Sequence, residues 1–416
     1  MEQTTPRYAR TRRRAPDMVL SRILGLALAA PAVLALAGCT GGSTPAGGTA
    51  TAPAPPGHIS CPLPDGSLGF AASARANDPG TEATPSVAAV LKHAVDKQEY
   101  VAIFDTDGSP SKVDDLRLTS RAANPKARAE EISTQMTLLT NGILKSQANA
   151  PEADPLGALD AAARSVHAQG PHGTVVLVDS GLQTAGALRY QSERLLLASG
   201  HDLVAYLRST GELPDLRGLT VVLSGLGDTG RPQKRLDIAT RNRLVEQWSA
   251  IAKAGGATCV DVDSQPLTEP TAADLPHVTT VAVPKPARPK LDLSRPVALR
   301  EDSVGFEDNS AELRDAALAR RDLEAIAEQI IRGRHHVSLI GTTATAGTEQ
   351  GRHTLSLKRA RTVKRLLVSL GVPAGHISTR GVGIHYPAHV RDLDSHGNLV
   401  PEAAVRNRAV FVAVTS

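Results

Sequence analysis

The stretch from Leu339 to Val363 reads LIGTTATAGTEQGRHTLSLKRARTV. An apolar run enters a loop holding Thr342, Thr343, Ala344 and Gly347. A segment carrying Arg352, Lys358, Arg359, Arg361 and Lys364 follows. Strand, glycine-bearing loop and basic helix in that order suit a pocket for a charged ligand. Oxygen donors form a second group: Asp105, Asp107 and Ser109 follow one apolar run, Asp179 follows another, and Asp228 a third. Ligands collect at the carboxyl ends of parallel strands, where these carboxylates fall. The thiols are the third group, with Cys39 at the end of an apolar run and Cys61 and Cys259 far apart in the chain.

The elements that must position these groups can be read from periodicity. Runs at 68–75, 99–108, 173–181, 219–228 and 257–263 are rich in apolar residues and read as strands, with helix-like segments at 85–96, 127–146, 155–168, 190–208 and 237–254 between them. This alternation predicts an α/β, doubly wound, Rossmann-like parallel sheet over 62–264, covered on both faces. Residues 265–296 are dense in proline and read as the domain boundary, though HVTTVAV within them has the pattern of an edge strand. From 297 to 416 the order is strand, helix, strand, helix, strand, loop, strand, a small α/β sandwich.

The N-terminus reads as an address. Arg22 precedes an apolar run from Ile23 to Ala37, too short to cross a bilayer comfortably, and small residues follow up to Cys39. Met18 would start a leader of more usual proportions than Met1. Residues 39–61, rich in Gly, Pro, Ala and Thr, are expected to form a flexible tether, because they cannot bury enough apolar surface to fold. In an oxidising compartment Cys61 and Cys259 would close a disulfide loop; the alternative is two buried thiols.

Several functions are disfavoured. The net charge of +4 comes partly from Arg10, Arg12, Arg13 and Arg14, which a processed chain would lose, so it gives no nucleic-acid footprint. Zinc-type Cys/His spacing, a GxxxxGK[ST] phosphate loop and a GxSxG elbow are absent, and GLGDTG at 225–230 lacks GxGxxG spacing. No cofactor or enzymatic activity is expected.

Three resemblances add to this reading. Leu36-Ala37-Gly38-Cys39 resembles the lipobox of bacterial lipoproteins. It implies cleavage after residue 38, a lipid (diacylglyceryl) on Cys39, and a mature chain anchored to the extracytoplasmic face of the cell membrane, or to the outer membrane if there is one. Asp105-Thr-Asp107-Gly-Ser109 and Val178-Asp179-Ser180-Gly181 loosely resemble the metal site of von Willebrand factor A domains, although Asp107 stands where Ser is expected and Asp154 or Pro155 where Thr is expected. That likeness implies Mg²⁺ or Ca²⁺ on Asp105, Asp107, Ser109 and Asp179, whereas Asp residues also cap turns at strand ends.

The third resemblance is to the OmpA-like domain, carried by FEDNSAEL (306–313), LIGTTATAG (339–347), LSLKRARTVKRLLVSLGV (355–372), RGVGIHYP (380–387) and NRAVFV (407–412). It implies non-covalent binding of peptidoglycan through the diaminopimelate end of the stem peptide, with Arg359, Thr343, Asn407 and Arg408 at the family's ligand positions. The chain departs from the family at Ala344, where the loop Asp is expected, at Arg352, where Asn is expected, and at Ala409, in place of a second Arg. Glu349 is a nearby acid from the same loop. The expected protein is a lipoprotein of the cell envelope bridging membrane and wall; the alternative is an envelope module with a protein partner, its OmpA-like domain no longer reading peptidoglycan.

Overall fold

Three helices of the first lobe start in the same way, with a polar cap followed by proline: Thr84-Pro85, Asn124-Pro125 and Asp154-Pro155. The cap oxygen takes one orphan N–H, and proline's fixed φ suits the first helical position. These caps recur through the computed structural model, which describes residues 59–415 except 193 and 286. Cys39 and the leader lie outside the described residues.

The first lobe runs β1 (Ser67–Ala72), α1 (Pro85–Lys97), β2 (Tyr100–Phe104), β3 (Lys112–Arg117), α2 (Pro125–Lys145), α3 (Pro155–His167), β4 (Gly173–Val178), α4 (Gly200–Thr210), β5 (Leu219–Ser224), α5 (Ile238–Ala254) and β6 (Cys259–Val262). Its sheet has the order β3-β2-β1-β4-β5-β6, parallel except for β3, which pairs antiparallel with β2. β1, β4 and β5 are buried along their whole length, which is why their sequences are continuously apolar. One face packs on α1 and α2 through Val87, Leu91, Leu139 and Ile143; the other packs on α3, α4 and α5 through Leu159, Leu203 and Trp248. Cys61 and Cys259 form a disulfide with Cα atoms 5.8 Å apart.

One strand was not expected, and two expectations differ from the structure. β3 was not visible as a strand because KVDDLR is polar and mostly exposed, as suits an edge that must resist pairing with other chains. The helix expected over 190–208 begins only at Gly200, where Ser199 caps it by accepting from Asp202 N at 3.1 Å; upstream, Leu195 and Leu196 are buried in a short 3-10 turn. HVTTVAV (277–283) is not a strand. Its Val278 and Val281 are buried, and side-chain amides take the place of a ladder: Asn77 Nδ2 donates to Val278 O and Gln233 Nε2 to Val281 O, both at 2.9 Å.

The second lobe runs β7 (Val297–Leu299), α6 (Ala316–Gly333), β8 (His336–Gly341), α7 (Glu349–Ser369), β9 (Ile377–Gly381), α8 (Pro401–Asn407) and β10 (Val410–Thr415). Its sheet has the order β7-β10-β8-β9, with β10 antiparallel to both neighbours and β8 parallel to β9. Helices α6 and α7 cover one face through Leu323, Ile326, Ile330, Val363 and Leu367. Phe411 on the opposite face stacks on Tyr386 at 4.3 Å. Helix α8 was not expected, and its Val405 is buried in the core of the first lobe. The two lobes belong to one compact unit, Pro53–Ser416.

Candidate functional site

Helix α7 starts five residues earlier than its apolar pattern suggests. Thr348 caps it by accepting from Gly351 N at 3.2 Å, with acidic Glu349 in the first turn. Gly347 turns into that cap with φ +74°, a conformation that favours glycine. Arg352 therefore sits on the helix, where its Nη1 donates to Gly347 O. The helix lies tightly on the sheet: a Cβ on Gly341 would meet Ser356 O at 2.0 Å, and one on Gly381 would meet Leu357 N at 2.3 Å. That close approach turns Arg359 inward.

A cavity of about 260 Å³ opens between the loop after β8, the first turns of α7 and the first lobe. Arg359 lines it and is only 4% exposed, with Nε donating to Ser310 O at 2.9 Å and the guanidinium lying over Phe306 at 4.9 Å. Burial pushes this guanidinium down to about 10, with Glu301 pulling the other way. Thr343 also lines the cavity, and among the described residues its buried Oγ1 has no hydrogen-bond partner. Arg408 lines it too, but both its Nη atoms donate to Asp202 of the first lobe, Nη2 at 2.8 Å. Asn407 has a different job. It is buried and holds the 389–392 loop, donating to Val390 O and Asp392 Oδ2, both at 2.8 Å. Of the four residues expected at the ligand, Arg359, Thr343 and Arg408 line one cavity and Asn407 does not.

Sequence reasoning missed the groups that close the cavity. Asp202 and Arg243 come from α4 and α5, and Glu301 and Arg314 from the segment after β7 and the approach to α6. Arg243 Nη1 lies 3.8 Å from Glu301 Oε2, and Arg314 Nη1 lies 2.9 Å from Glu246 of α5. Burial pushes the Glu301 carboxyl up, opposed by the pull of Arg243 and Arg359. Nothing in the local sequence says that Asp202 faces another lobe. Ala344 is 3% exposed and lines the cavity where an acid was expected. Glu349 does not line it; its Oε1 is 3.3 Å from His385 Nε2 at the surface.

In the first lobe, the crevice outside β1 and β4 is where strand order reverses and where ligands bind in such sheets. The chain's own Arg75 fills it. Fully buried, Arg75 Nη2 donates to Asp179 Oδ1 at 2.7 Å and Oδ2 at 2.8 Å, and lies 2.7 Å from Asp78. Asp105 accepts from Ser111 N at 2.6 Å, and Asp107 accepts from Ser109 N, Asn149 N and Ala150 N. Asp154 caps α3 by accepting from Gly157 N at 3.0 Å. Among the described residues no group of three or more His, Cys, Asp or Glu side chains could hold a metal ion. Of the residues expected to hold Mg²⁺ or Ca²⁺, Asp179 holds the Arg75 guanidinium, and Asp105 and Asp107 hold the 107–111 and 149–150 loops.

The second lobe is an OmpA-like α/β domain: residues 305–396 match the OmpA family model. Similar solved structures include the peptidoglycan-associated lipoprotein from Burkholderia pseudomallei, at 23% identity over 27% of this chain and 88% of that one, with a TM-score of 0.23. The cell wall anchor of the T6SS from Pseudomonas aeruginosa is 24% identical over 30% of this chain and 85% of that one, with a TM-score of 0.25. The OmpA-like domain of FopA1 from Francisella tularensis is 20% identical over 28% and 69%, with a TM-score of 0.22. No curated protein matches the chain.

Proposed function

We propose that the chain is a non-enzymatic protein of the cell envelope whose OmpA-like lobe associates non-covalently with peptidoglycan, while lipid on Cys39 holds the other end at the membrane. The observation that carries this reading is the cavity beneath the 342–348 loop, lined by Arg359 and by Thr343, whose Oγ1 has no hydrogen-bond partner among the described residues. An arginine held by carbonyls and an aromatic face is set to take a carboxylate in a fixed geometry. Two weak anchors on one chain, lipid and wall, raise each other's effective concentration and bridge the gap. Asp202 on Arg408, together with Ala344 in place of an acid, favours a second reading in which the lobe serves a protein partner of the envelope instead.

Two measurements test the proposal. The full chain should pellet with purified peptidoglycan; a chain that stays in the supernatant contradicts wall binding. In cells, Cys39→Ala should move the chain out of the membrane fraction, and an unchanged distribution contradicts the lipid anchor.

A further inference from the structure

The charges in the cavity do not suit a zwitterion. Five arginines line it, Arg243, Arg314, Arg352, Arg359 and Arg408, against the carboxylates of Asp202, Glu301 and Asp308. Each acid already faces a guanidinium. Asp202 holds Arg408, Glu301 lies 3.8 Å from Arg243, and Asp308 lies 3.6 Å from Arg314. Arg352 and Arg359, both on α7 two turns apart on the same side, make no direct ion pair among the described residues, though Glu301 acts on Arg359 from a distance. Among the described residues, their hydrogen bonds run to backbone carbonyls, Gly347 O for the first and Ser310 O and Glu307 O for the second. Ala344 of the loop lines the same cavity and brings only a methyl group to it. A ligand ammonium would meet more guanidinium groups than carboxylates here, because five arginines face Asp202, Glu301, Asp308 and, through Arg314, Glu246. A ligand carboxylate would find both arginines and the Thr343 hydroxyl.

We propose that this pocket takes a peptide end that carries carboxylates but no free amine, such as a stem peptide whose diaminopimelate side-chain amine is already acylated in a cross-link. This rests on the peptidoglycan reading above and narrows it to the cross-linked or otherwise N-acylated part of the wall. The first lobe contributes directly, since Asp202 removes Arg408 from competition and leaves the α7 pair as the anion site.

The test is calorimetric titration of the full chain with two probes, both blocked at the N-terminus: a stem tripeptide ending in diaminopimelate with its side-chain amine free, and the same peptide with that side-chain amine acetylated. The wild type should bind the acetylated probe at least threefold more tightly. Arg352→Gln should weaken the acetylated probe severalfold, and Ala344→Asp with Arg352→Asn should reverse the preference toward the free amine. Tighter binding of the free-amine probe by the wild type overturns the inference and leaves wall binding intact. So does pelleting with peptidoglycan when neither probe binds. If the chain neither pellets nor binds either probe, the peptidoglycan reading itself fails, and the inference with it. The wild-type comparison does not depend on any variant folding.

Discussion

At the scale of single residues, the chain keeps ionisable groups out of water in two ways. Arg75 is buried with its counter-ions: burial works against its charge, but Asp179 and Asp78 outweigh that and hold it protonated. Arg75→Met would leave two carboxylates buried without a cation, and should cost about 3–5 kcal/mol of stability in urea denaturation. Glu99 is buried with less help. It accepts from Gly66 N at 3.0 Å, His93 Nε2 is 3.6 Å away, and burial pushes its carboxyl from an ordinary 4.5 up to about 7. A raised acid stabilises the fold most below its unfolded value and loses that contribution as pH rises through the folded one. Stability should therefore fall between about pH 4.5 and 7 by up to about 3 kcal/mol on this account. Glu99→Gln should flatten that part of the curve, and an unchanged slope in melts at pH 5 and pH 8 would contradict the assignment.

At the scale of elements, what was legible followed from periodicity and motif. The buried strands and α3, α5 and α6 stand where their apolar patterns put them, and Arg359 was visible because LSLKRA places it on α7. The losses have physical causes. β3 carries charge where a strand usually carries apolar residues, and α8 is too short to show a period. The start of α7 was hidden because its first turn, EQGRH, has no apolar stripe and is defined by the Thr348 cap alone. Packing of α7 on β8 and β9 depends on Gly341 and Gly381. Gly341→Ala would force a methyl into the backbone of α7 at Ser356, so it should lower stability by about 1–3 kcal/mol and weaken ligand binding with it. Melting temperature and peptidoglycan pelleting, measured on the same preparation, check both effects.

At the scale of the whole molecule, the site belongs to neither lobe alone. Val405 of α8 plugs the first lobe's core, Arg314 reaches Glu246, and Asp202 closes on Arg408 at the mouth of the cavity. Both partners of the last pair are largely buried, so Asp202→Asn should destabilise the chain by about 3 kcal/mol, read as a lower urea midpoint. A change below about 0.5 kcal/mol would mean the lobes do not depend on it. None of this was legible, because contacts between lobes leave no local pattern. The disulfide was legible, since two cysteines in a chain expected to reach an oxidising compartment suggest a pair. Arg359 in this shared cavity is proposed to hold the wall, and the most direct measurement is the fraction of full chain that pellets with purified peptidoglycan, compared between wild type and Arg359→Ala. Losing one charge-assisted contact worth ~1.5–3 kcal/mol should weaken apparent affinity about ten- to a hundredfold. Equal pelleting by a folded Arg359→Ala chain would contradict the account.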